Sequence, residues 1–174
     1  MTDRADFLGA RQGGVIPLID RDGRLTGPFA AMEALGSVGL AMARFGEALR
    51  FGGQLPSRIR EAIILRVGSH RNSEFEVWAH LRVVRESGLL SEQEIEALLH
   101  GHHAGLDDHR LRESLAIAEL ALAGQVSRAD DSVVPRPEWF EIVSLVHYYS
   151  LLADLMAVDG VGVPALTDDP GVTS

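Results

Sequence analysis

Apolar residues in this chain recur mostly at spacings of three and four, the period of helices that bury one face. From Pro28 to about Arg50, alanine, leucine and methionine return at that spacing, and Pro28 suits a first helical position, where its missing N–H is not needed. Gly52-Gly53 breaks the pattern. A second helix opens at Pro56-Ser57, carries Ile59, Ile63, Ile64 and Val67, and ends near Gly68 to His70. Asn72 or Ser73 is placed to cap a third, with glutamates in its first turn against the positive end of the helix dipole and Gly88 as its stop. Ser91-x-x-Glu94 has capping-box spacing and predicts a short fourth helix to about His100. After a connection from His102 to Asp108, a fifth helix runs from about Asp108 to Ala123 and stops at Gly124. A loop rich in aspartate and proline leads to Pro137-Glu138, which opens a long last helix to about Val158, with Trp139, Ile142, Val143, Leu145, Val146, Tyr149 and Leu152 as its apolar surface.

No stretch alternates in the way a half-buried strand does, so the expected fold is all-α, about six helices over residues 28–160. Residues 1–27 hold six glycines or prolines around the run Val15-Ile16-Pro17-Leu18-Ile19 and read as an extended N-terminal arm; residues 161–174 read as a C-terminal tail.

Composition narrows the chemistry. At 174 residues the chain makes one domain, with 46% hydrophobic and 24% charged residues, and no apolar run approaches the roughly 20 residues that span a bilayer. No association with a membrane is therefore expected. The first residues carry acids and no apolar core follows them, unlike a signal peptide, so a cytoplasmic protein is expected. A net charge of −9 without a basic stripe argues against nucleic acid as a partner and leaves small molecules, anionic ones included, since a local arginine can outweigh the global charge. Histidine aside, all 16 basic residues are arginines, and there is no cysteine. Without lysine there is no internal Schiff base, and without cysteine there is no thiolate nucleophile, dithiol couple or thiolate metal site. Imidazole, carboxylate, hydroxyl and guanidinium chemistry remain.

The candidate constellation is Glu61 with Glu76 and His80. Glu76 and His80 are an i, i+4 pair on one helix face, and Glu61 lies on the helix just before it. A histidine and two carboxylates among apolar residues must compensate one another, because an isolated buried charge is costly. Two readings stay open: a structural pair within a core, or an imidazole held by a carboxylate and poised to exchange a proton. A second cluster, His100, His102, His103 and His109 with Asp107 and Asp108, has ligand types that suit zinc or iron, but its spacing matches no defined metal motif and a solvated loop is the simpler reading. His147-Tyr148-Tyr149 on the last helix places Tyr149 in the core and leaves His147 and Tyr148 open.

Pro56-x4-Glu61, then Ser73-Glu74-Phe75-Glu76 to His80, then Gly88-Leu89, Ser91 and Glu94, together resemble the carboxymuconolactone decarboxylase family, which includes the AhpD-type alkylhydroperoxidases. The resemblance runs from about Gly27 to Val158, and Gly27-Pro28-Phe29 is similar to the opening of the decarboxylase-like branch. It implies an all-α fold that assembles as a homo-oligomer, trimer or hexamer, with sites near subunit interfaces. Where the peroxidase branch has Cys-x-x-Cys-x-x-x-His, this chain has Ser73, Glu76 and His80, which excludes thiol peroxidase chemistry: a serine forms neither sulfenate nor disulfide.

The acid-rich motif fits the decarboxylase branch, although Phe75 and Val77 stand beside Glu76 where that branch usually has Tyr and Trp, and Trp78 comes one position later. What the resemblance implies is a cofactor-free lyase without a metal, acting on a small anionic lactone or enolisable carbonyl compound. His80 would donate the proton, Glu61 would orient or tune the imidazole, and Glu76 would share that role or stay exposed. Arg58, Arg66 and Arg71, the arginines nearest in sequence, are the candidates for holding substrate carboxylates, with Trp78 and Tyr148 beside them. Lactone hydrolysis or isomerisation would use the same groups. The alternative is a non-catalytic oligomeric member that binds a small molecule in an apolar cavity lined by Phe75, Trp78, Trp139 and Tyr148.

Overall fold

A computed structural model describes residues 18–102, 105–126 and 133–164. Residues 15–17 of the apolar run, His103, the 127–132 part of the acidic loop and the tail beyond residue 164 lie outside the described residues. Among the described residues seven α-helices follow one another: α1 (Phe29–Ala34), α2 (Ser37–Glu47), α3 (Ser57–His70), α4 (Glu74–Ser87), α5 (Glu92–Leu99), α6 (His109–Leu122) and α7 (Arg136–Asp159). A π-helical turn, Ala48–Gly52, continues α2. No strand forms among the described residues; Ile19 and Leu25 share one isolated antiparallel bridge.

The first predicted helix is two helices, a correction with a local cause. The chain turns at Gly36, whose φ of 59° and ψ of −124° lie outside the helical region and are readily reached only without a side chain. Apolar spacing continues across the break, so periodicity alone did not reveal it. Beyond the turn, α2 folds back onto α1 and approaches the last helix closely: a Cβ at Gly46 would lie 2.1 Å from the Tyr148 hydroxyl.

The remaining helices follow their signals. At the start of α5 the Ser91 side chain accepts from the Glu94 N–H at 3.3 Å, and the Glu94 carboxylate accepts from the Ser91 N–H at 2.9 Å, the reciprocal bonds of a capping box. Asp108 caps α6 by accepting from the Leu111 N–H at 3.0 Å. Helix α4 stops at Gly88 as its spacing predicts, but Ser73 holds the N-cap position without a side-chain capping hydrogen bond, a departure from the expected cap.

Helix α3 is the centre of the domain. It packs against α4, α5, α6 and α7, and Ile63, Ile64, Leu65 and Val67 are fully buried, as expected of a helix that is apolar on most sides. Its end is a tight reversal: the Ser73 N–H donates to the Gly68 carbonyl at 2.9 Å, the Asn72 N–H to the Ser69 carbonyl at 3.1 Å, and Asn72 takes a left-handed φ of 53°. That short turn lays α4 back along α3. Helix α7 closes the other side with Ile142, Leu145, Val146, Tyr149, Leu152 and Met156, which recur at three- and four-residue spacings and face the core. Truncating Leu145 to alanine would cost about 2–5 kcal/mol.

By length and composition, α7 is also the one helix among the described residues that could cross a membrane, which qualifies the expectation that no apolar stretch reaches that length. Its apolar positions are shared between the core and exposed Phe140, Leu151 and Val158. Of residues 18–28, the last four lie buried on the protein's own core, and Leu18 packs against it. Leu25 and Thr26 are buried, and Gly27 abuts the Phe75 ring closely enough that a Cβ there would fall 2.2 Å from it.

Candidate functional site

The hairpin of α3 and α4 sets Glu61 against His80. Glu61 Oε2 is 2.6 Å from His80 Nδ1, and Glu76 Oε2, one turn before His80 on α4, is 3.5 Å from Nε2. All three side chains are buried, with residue exposures of 5%, 3% and 7% for Glu61, Glu76 and His80. The imidazole therefore sits between two carboxylates that address opposite ring nitrogens. Two carboxylates so placed cannot converge on one metal ion, and no group of three such ligands does so elsewhere among the described residues.

Burial disfavours the charged imidazole, but the adjacent carboxylates, Glu61 above all, outweigh it and raise His80 to about 9. Burial would likewise raise Glu61; the His80 charge and hydrogen bond, helped by Arg60 and Arg50, leave it lowered instead. At neutral pH the pair is an imidazolium on a carboxylate. Arg60 Nε stands 3.7 Å from Glu61 Oε1 and backs that charge.

His80 and Glu76 open onto a cavity of about 40 Å³ lined by Phe29, Met32, Arg50, Phe75, Tyr148, Tyr149 and Leu152 among others, room for roughly three waters before anything moves. The Tyr149 ring meets the His80 ring edge-on at 5.3 Å, and Tyr148 meets Tyr149 in the same way at 5.4 Å. Burial pushes the Tyr148 phenol up to about 12 and Tyr149 well above its ordinary value, so both remain neutral O–H donors. Tyr149 is a core residue, as its spacing predicts, and a wall of the cavity as well.

The arginines of α3 do not line this cavity. Arg58 donates to Glu94 at 2.5 Å and to the Leu89 carbonyl at 2.6 Å, tying α3 to the start of α5 and holding the Glu94 carboxyl down at about 2. Arg66 donates to Glu119 at 2.5 Å and joins α3 to α6; Arg71 pairs with Asp154 on α7. Each ties helices together within the chain. The arginine in the cavity is Arg50, in the π-helical turn after α2. Nothing in its spacing marks it, because a residue eleven positions before Glu61 reaches the site only through the fold.

Trp78 is half-buried with Arg82 above its ring at 5.6 Å, and it lies outside the cavity lining, whereas Phe75 and Tyr148 belong to it. Trp139 borders a separate apolar recess with Val133, Val134 and Ile117. His147 is exposed. In the histidine-rich connection, His100 and His102 stack at 6.1 Å, His100 Nδ1 lies 2.8 Å from the Glu96 carbonyl, and His109 approaches Glu113 at 3.7 Å.

An all-helical domain with a buried Glu–His–Glu group beside a small, mostly apolar cavity, and no thiol in the chain, is equipped for proton transfer. The model of the Carboxymuconolactone decarboxylase family matches residues 37–120, from α2 to near the end of α6, so the segment that carries Glu61, Glu76 and His80 is carboxymuconolactone decarboxylase-like. No significant match is found among curated proteins or among solved structures.

Proposed function

We propose that this protein is a cofactor-free lyase of the carboxymuconolactone decarboxylase type, using His80 as general acid on a small lactone or enolisable carbonyl compound that carries a carboxylate. The observation that carries the reading is the 2.6 Å contact between Glu61 and His80 beside an open cavity, rather than sealed in a core without one. In such a reaction the bond from the substrate carbon to its carboxylate breaks, CO2 leaves, and the electron pair spreads into the unsaturated lactone as a dienolate. His80 gives its proton to the dienolate carbon and recovers one from solvent. Glu61 keeps the imidazole protonated and oriented, and Glu76 shares the other nitrogen. Neutral Tyr148 and Tyr149 hydroxyls suit the developing negative charge on oxygen.

The test is turnover of gamma-carboxymuconolactone, followed by CO2 release and loss of substrate absorbance. Wild type turns it over, and His80→Ala and Glu61→Gln, checked for folding, each lose about 10²–10⁴-fold in kcat, the range general acid catalysis supplies. A wild type inert toward this and related lactones, yet stabilised by small ligands, would instead favour the non-catalytic binding protein. The reading includes a homo-oligomer, supported by exposed Val38, Phe45 and Phe51 along α2 and its π-helical turn. Light scattering that gives a monomer mass would remove that part.

A further inference from the structure

Arg50 stands apart from the other arginines around the α3 helix. Arg58, Arg66 and Arg71 each have a carboxylate partner, and Arg60 is engaged by Ser57, the Leu55 carbonyl and Glu61. Arg50 is half-buried, yet among the described residues its guanidinium has one hydrogen bond, Nε to the Gly46 carbonyl at 3.2 Å, and no carboxylate within ion-pair distance; Phe51 covers it at 5.2 Å. Among the described residues its two terminal nitrogens have no hydrogen-bond partner, and Arg50 lines the cavity that holds His80. A guanidinium has five donors in a fixed fork that matches a carboxylate, so an Arg50 fork with no protein carboxylate on it is available to an incoming anion. The π-helical turn that carries Arg50 adds to this, since such turns are frequent at functional sites.

We propose that Arg50 is the anchor for a single carboxylate of a compact, otherwise apolar substrate, bound bidentately at the cavity wall while the body of the molecule lies among Phe29, Met32, Phe75 and Leu152. Arg50 sets the selectivity, because the other cation of the lining, the His80 imidazolium, is already answered by Glu61 and Glu76. The site accepts one carboxylate on Arg50 and, among the described residues, offers no free cation for a second. In taking the bound anion for the substrate, this inference rests on the lyase reading; the anion site itself does not.

Binding of 2-furoate, a five-membered ring with one carboxylate, against its neutral amide 2-furamide tests it by calorimetry and by melting temperature, independently of turnover. Furoate binds wild type at least about tenfold more tightly than furamide, a difference of about 1.4 kcal/mol, and more weakly as salt is raised. Arg50→Gln abolishes the preference, Arg50→Lys keeps part of it, and Arg58→Gln leaves it unchanged. Equal binding of the two ligands, no binding of either, or an unchanged preference in Arg50→Gln would overturn the proposal. A furoate preference in a protein inert toward every lactone would retain the anion site and remove only the lyase reading.

Discussion

Two regions of this molecule are rich in histidine and acid, and they behave in opposite ways. His80 has two carboxylates at its two nitrogens, an aromatic edge on its face and almost no water. In the connection from α5 to α6, His100, His102 and His109 are exposed; they stack on one another or reach one local partner, and three ligand groups never meet there among the described residues. Density of titratable residues along a chain is thus a poor guide to a site. What separates the regions is convergence from two helices under low dielectric, where each charge must be answered by another.

The largest effect that would sharpen this contrast is removal of one partner of the buried pair. Glu61→Ala takes the nearer carboxylate from the buried imidazole and is expected to lower stability by about 3–5 kcal/mol in urea unfolding, whereas replacing Glu61, Glu76 and His80 together with apolar residues recovers most of that loss. A triple variant as unstable as the single one would mean the charges matter less than the packing around them.

Next comes pH. His80 has its protonation range raised from the ordinary 6.5 to about 9, so its contribution is fully present below about 6.5 and is lost as pH rises through about 9. Glu61 is lowered from 4.5, so its contribution is present above that value and lost as pH falls through the lowered one. The pair therefore supports the fold fully between about 4.5 and 6.5 and fades on the alkaline side. NMR titration of the His80 ring should show a midpoint near 9 in wild type and a much lower one in Glu61→Gln. A midpoint at the ordinary value in wild type would refute the buried ion pair.

Smaller effects belong to the other region. Ser91→Ala removes the cap of α5, the helix that leads into the histidine-rich connection, and should cost about 1 kcal/mol in the same unfolding measurement. His102→Ala should change stability by no more than about 0.5 kcal/mol, as exposed substitutions usually do. Excess zinc should leave the melting temperature where it is; a rise of several degrees that His100→Ala or His102→Ala abolishes would break the comparison.

Much of the fold was legible in the chain because its signals are local. The capping box at Ser91 and Glu94 and the stop at Gly88 depend on neighbours within a few residues, and both are where their spacing put them. The break at Gly36 was not legible, since the apolar period runs through it and only the backbone angle there shows the turn. Glu76 and His80 shared a face by helical arithmetic, and the pairing of Glu61 with His80 followed once a short turn joined their helices.

The sequence by itself thus determined the all-helical character, the ends of most helices, the absence of thiol and lysine chemistry, and the residues able to move a proton. Tertiary structure alone decided which arginine reaches the cavity, that Tyr149 walls it, and that Arg58, Arg66 and Arg71 are engaged by acids on α5, α6 and α7. The reason is range. Helical period and capping act over three or four residues, while an arginine's partner is whichever carboxylate the packing of distant helices brings within hydrogen-bond reach.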